Sequence, residues 1–333
     1  MTEETTSAAA ISLPTGFRIE EVPSLARSGT AVPLNLTPGP ALPSLGPLAA
    51  FTGTWTGTGF NTIFRPNNPQ TPTVLPVPLP VGDNILELNL TSETLSFSNS
   101  LGSVPNRGMV QGDVFLNGVP YLQAISDVTT ANPGVGIHLE PGLWLCVPQT
   151  ADPAEGQTLV RMASIPHGTT IVAQGTSTTI SGKPTIPAVD ITPFTTANPA
   201  NKILFPSQTA ANKTTPRIPQ DLTSLISAGT ITQAMLTDPN TVLRNHIAGQ
   251  TITSTTVISI ATSPAAPLFG GGTDNIAFLL GNAAASAPNA QTTRMVATFW
   301  IETVEHVLHL PIIKPTPHPV TIAAATADAP SLP

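Results

Sequence analysis

Charge is scarce in this chain. Asp, Glu, Lys and Arg make up 9% of its 333 residues, against roughly 25% in an average soluble protein. The 12 basic residues are outnumbered by 19 acidic ones and form no cluster. A nucleic-acid interface, which needs a basic stripe to neutralise phosphates, is therefore not expected. Aromatic residues are only 5%, too few for a base-stacking platform. Cysteine occurs once, at Cys146, which excludes an internal disulfide and a multi-thiolate zinc site. No apolar run approaches the roughly 18 residues of a membrane-spanning helix. The opening Met1-Thr2-Glu3-Glu4 is acidic and carries no apolar leader, so a cytoplasmic location is expected. Gly-x-Ser-x-Gly is missing, which disfavours a hydrolase of the nucleophile-elbow type. The loop Phe269-Gly270-Gly271-Gly272-Thr273 lacks the lysine of a phosphate-binding loop and reads as a turn.

Proline and threonine are abundant. The 37 prolines argue for turns and edge segments over long helices, and threonine favours strands. Residues 1–43 read as a Pro/Thr-rich arm and residues 314–333 as a tail. Either could be disordered or could wrap a second copy of the chain into a homo-oligomer. Between them, residues 44–313 read as one domain.

Alternation places strands at Phe51–Phe64, Ile85–Leu90, Thr94–Ser98, Gly112–Leu116, Val119–Ile125, Gly136–Cys146, Leu159–Ile165 and Thr169–Gln174. Asn117-Gly118 reads as a hairpin turn between two of them. Residues 177–291 form a long, partly helical insertion. In it, Asp221 precedes a helix stopped by Gly229, and Pro239 splits a second helix. Strands follow at Thr251–Ile260, Ile276–Leu280 and Met295–Leu310. The fold class is mainly β, an antiparallel barrel with an insertion before its last strand.

Three motifs follow one another in this frame. Gly53-Thr54-Trp55-Thr56-Gly57-Thr58-Gly59 is G-x-W-x-G-x-G, Gly136–Leu145 holds His138-Leu139-Glu140-Pro141-Gly142, and Met162–Thr169 holds Ile165-Pro166-His167-Gly168. The ordered series resembles the nitrobindin family of calycin-like haem-binding β-barrels over residues 44–176 and the last strand. The resemblance implies a closed barrel with haem, or another flat apolar ligand, near one mouth. The family's iron-binding histidine falls on Gln291–Met295, which has no histidine here, so haem would need another ligand.

Candidate site residues follow from strand and helix positions. His138 and Glu140 share one strand face and could serve as an acid–base pair on a small apolar substrate or touch a ligand. A histidine bonded to its neighbouring strand is the alternative. Trp55 and Phe60 of the first strand are candidate ligand contacts or core residues. His167 sits at a hairpin tip. His246, near a helix end that its charge would suit, could cap the barrel mouth and replace the missing iron ligand. Glu302, Glu305, His306 and His309 divide between two strand faces and read as a strand end, so no metal site is assigned. The functional expectation is a binding module for an apolar small molecule, with an enzyme or an assembly scaffold as alternatives.

Overall fold

The computed structural model describes residues 43–306 except 69, 79–83, 131–133, 166–167, 196, 266, 268–269 and 281–293. The arm before residue 43 and the tail after 313 lie outside the described residues.

Eight long strands carry the fold: β1 (Thr54–Pro66), β2 (Asn84–Phe97), β3 (Val114–Asp127), β4 (Val135–Val147), β5 (Thr158–Ile165), β6 (Thr169–Ser181), β7 (Thr251–Ala261) and β8 (Val296–Glu305). Each pairs antiparallel with the next in sequence. The result is an up-and-down meander curled into a half-barrel, a shape that follows from the right-handed twist of paired strands. Among the described residues β1 pairs only with β2 and β8 only with β7, so a seam separates the two end strands.

The inside of the curl holds one apolar cluster fed by seven of the eight strands. Trp144 is 2% exposed and packs edge-on against Phe299 (5.2 Å) and Phe51 (5.4 Å), with Val119, Leu159 and Ile258 around them. Trp55, expected as a ligand contact or a core residue, is not in the core. It is 47% exposed, and its indole Nε1 donates to the Thr52 carbonyl three residues back. The buried core tryptophan is Trp144.

Strand expectations are corrected in β2 and β3. The stretches Ile85–Leu90 and Thr94–Ser98 belong to the single strand β2, whose hydrophobic parity changes midway. Leu86 and Leu88 face outward onto Ala210, Leu222, Ile231 and Leu236 of the insertion, while Leu95 and Phe97 face the interior cluster. Burying each such leucine contributes about 1.5–3 kcal/mol. Asn117-Gly118 is likewise no turn but lies inside β3, opposite Cys146 and Leu145. The glycine is needed for close approach, since a Cβ there would lie 2.2 Å from the Trp144 carbonyl oxygen.

The insertion carries sheet as well as helix. Residues Thr176–Ser181 extend β6, and β7 returns the chain to the meander. Between them run three short helices, α1 (Thr223–Ser227), α2 (Gln233–Thr237) and α3 (Thr241–Ile247), with Pro239 separating the last two. Gly229 has φ +69° and ends the first helical turn, as a glycine after a helix does. Ile276–Leu280 is not a strand: Ala277–Leu280 forms one helical turn, with Phe278 and Leu280 exposed.

One side chain organises the insertion. Arg217 is wholly buried, and its guanidinium donates to the carbonyls of Ser207 (2.8 Å), Thr209 (2.9 Å), Ala210 (2.8 Å), Asn212 (2.6 Å) and Gln220 (3.2 Å). No carboxylate joins this cap within salt-bridge distance among the described residues. Carbonyl dipoles solvate the charge in place of water. The backbone of Arg217–Ile218 meanwhile pairs parallel with Leu86–Glu87, fastening the insertion to the outer end of β2.

Candidate functional site

Alternation on β3, β4 and β5 sends five polar side chains inward at one end of the apolar cluster. The register sets Gln123 opposite Glu140 and Tyr121 opposite Gly142. Glu140 accepts from the Tyr121 hydroxyl and from Arg161 Nη2, while His138 Nε2 stands 3.2 Å from its second oxygen. Arg161 Nε also donates to the Tyr121 hydroxyl oxygen at 2.8 Å, and Nη2 lies 3.4 Å from Gln123 Oε1. Gln123 in turn donates to Glu93 on β2. The Arg161 guanidinium lies 5.5 Å from the Tyr121 and Phe299 ring centres and 6.0 Å from that of Trp144, close enough for cation–π attraction.

The electrostatics follow from this packing. Burial by itself would raise the Glu140 carboxyl. The His138 hydrogen bond, the Arg161 charge and the Tyr121 and Arg161 hydrogen bonds outweigh it and hold the group at about 2. Burial pushes the Tyr121 phenol up, against the opposing pull of Arg161. Burial disfavours the Arg161 cation, but Tyr121 and Glu140 together raise it. Glu140 is thus a fixed anion, and its ionisation favours the His138 tautomer with hydrogen on Nε2. A carboxylate with so low a pKa is a feeble base at neutral pH.

A cavity suited to a ligand lies elsewhere. A cleft of about 870 Å³ runs along the seam, between the free edge of β1, the outer face of β8 and helix α3. Its apolar wall includes Phe60, Ile186, Met235, Leu243, Ile247 and Trp300. Thr56, Gly57, Thr58 and Gly59 of the glycine motif form its lip, where Gly57 lacks a side chain and a Cβ would meet nothing within 4 Å. Its ionisable groups are His246 on α3 and Glu302 on β8. Burial raises the Glu302 carboxyl, partly offset by the charge of His246.

Of the candidate residues, Phe60 and His246 meet in this cleft. His138 and Glu140 lie together in the interior network and do not line it. Trp55 does not line it either, and His167 lies outside the described residues. Sequence reasoning missed Arg161, Tyr121, Trp300 and the cleft role of Glu302. Arg161 had a signal: it shares a strand face with Leu159, Ala163 and Ile165, where a cation is tolerable only beside a counter-charge. Trp300 had one too, because Phe299 and Trp300 make both faces of β8 aromatic, as befits a strand covered on both sides.

At the start of β8, where the resemblance puts the iron ligand, the described residues are Arg294 and Met295, and the Met295 side chain packs on the interior cluster. Neither described residue there is a histidine. The seam cleft has one, His246. Among the described residues no helix is long and apolar enough to cross a membrane. Comparison with protein-family models, with curated proteins and with solved structures found no match.

Proposed function

We propose that the protein is a binding module that holds an apolar small molecule in the seam cleft. The observation that carries this reading is the cleft itself. Its volume of about 870 Å³ falls within the roughly 300–1,000 Å³ range of small-molecule sites, which pair apolar walls with a few polar groups. Here hydrocarbon and indole supply the walls, and His246 and Glu302 supply polar groups. The test is titration of the full chain with an environment-sensitive apolar fluorophore, alongside Thr58→Trp. Thr58 is exposed on the cleft lip, so the larger side chain fills the cleft without disturbing the core. Saturable binding that Thr58→Trp abolishes at unchanged melting temperature supports the reading. Equal binding by both proteins overturns it.

A haem version of this reading has one supporting observation, the His246 imidazole on the cleft wall. Haem held there would supply a chromophore and an open iron site. Titration with hemin should then give a Soret shift that His246→Ala removes. Absence of any shift sinks the haem version and leaves the first reading standing. The nitrobindin likeness behind it rests on the motif series alone. Acid–base catalysis by His138 and Glu140 is favoured less, because the Glu140 oxygens are occupied by three donors.

A further inference from the structure

We infer that the cleft selects apolar molecules bearing a protonated amine, with Glu302 as the counter-ion and the Trp300 indole beside it. This deepens the binding proposal and rests on it.

The charge inventory of the cleft is one-sided. Among the described residues no lysine or arginine lines it. The cation nearest in sequence, Arg244 of α3, is engaged elsewhere. It pairs with Asp238 and donates to Thr241 Oγ1 (3.0 Å) and to the carbonyls of Ile186 (3.3 Å) and Pro187 (3.4 Å). A carboxylate-headed ligand would therefore lose its hydration and find no fixed cation in return. Glu302 has the opposite need. It is partly buried, and its carboxylate makes no hydrogen bond with a described side chain or backbone group within bonding distance. Its acidity is weakened by burial, the state that an incoming cation relieves.

Geometry adds an aromatic neighbour. Trp300 and Glu302 stand two residues apart on β8, opposite Val257 and Thr255 of β7, and so share the sheet's outer face. Both line the cleft. A carboxylate beside an indole is a pairing that suits an ammonium group, which gains an ion pair and cation–π attraction together. His246 is the other titratable group facing Glu302 in the cleft. At neutral pH the chain's net charge of −7 also favours the approach of cations.

The experiment is isothermal titration of the full chain with three ligands sharing a naphthylethyl body: an amine, an alcohol and a carboxylate. We expect the amine to bind about tenfold or more tightly than the carboxylate, a difference equal to about 1.4 kcal/mol. Glu302→Gln should bring the amine to the alcohol's affinity, with circular dichroism confirming the fold. Trp300→Leu should weaken the amine more than the alcohol. Equal affinities for all three, or preference for the carboxylate, overturn the amine inference while the binding proposal stands. Failure of all three to bind overturns both.

Discussion

Tyr121 lies over Gly142. The two residues sit opposite each other on β3 and β4, and a Cβ at Gly142 would fall 2.3 Å from the Tyr121 ring. The missing side chain lets the phenol reach Glu140, two residues along the same strand. The small residue of the His-x-Glu-Pro-Gly segment is thus what allows the buried anion its hydroxyl donor. Gly142→Ala should displace the ring and cost about 1–3 kcal/mol, the usual penalty for overpacking a filled site. Urea unfolding checks this, and Tyr121→Phe should cost less, about 1–2 kcal/mol for the lost hydrogen bond.

Glu140 and Arg161 form an ion pair in which each side chain is at most 12% exposed. Removing one partner strands the other's charge. Glu140→Gln and Arg161→Met should each cost about 3–5 kcal/mol, while the double variant should recover part of the loss. A double-mutant cycle measures the coupling. Strict additivity would show that the pair does not stabilise the interior.

The pH dependence has a definite sign. The Glu140 carboxyl is depressed from 4.5 to about 2 on folding, so its stabilising contribution is complete above about 4.5. It is lost as pH falls through about 2, because the unfolded chain takes up the proton first. Denaturation curves between pH 5 and pH 2 should show this loss in the native protein. Glu140→Gln should lack that part of the slope.

Arg217 predicts a local effect. Lysine has three donors on one nitrogen and cannot span the five carbonyls that the guanidinium caps. Arg217→Lys should destabilise the protein by about 2 kcal/mol or more. It should also open residues 206–220 to proteolysis before the strands β3–β6. Hydrogen exchange resolves the two regions.

The meander was legible because β4–β6 and the second half of β3 follow plain alternation, with inward pairs such as Val119 and Tyr121 or Ile171 and Ala173 two apart. Reading failed where one strand serves two layers. In β2 the outward Leu86 and Leu88 and the inward Leu95 and Phe97 differ in parity, and a parity change resembles a break. Asn117-Gly118 failed for a different reason. The dipeptide that favours a turn also meets the demand for a side-chain-free position beneath Trp144, and local sequence cannot separate the two. His138 and Glu140 were legible as a pair sharing a strand face. Their partner Arg161 lies 21 residues beyond Glu140 and becomes a neighbour only through pairing. The seam cleft was illegible for the same reason, since its walls come from β1, α3 and β8, spread along the chain from Thr56 to Glu302.

The unpaired ends of the meander set how a guest is admitted. A barrel sealed all round must break ladder hydrogen bonds to widen, which makes uptake slow and steeply temperature-dependent. Here β1 is tied only to β2 and β8 only to β7 among the described residues. The edge of β1 that faces the cleft carries no ladder bond among the described residues, so entry along it breaks none. Association at the cleft should accordingly be fast and have a low activation enthalpy, and ligand residence time should be governed by contacts with α3 and not by the sheet.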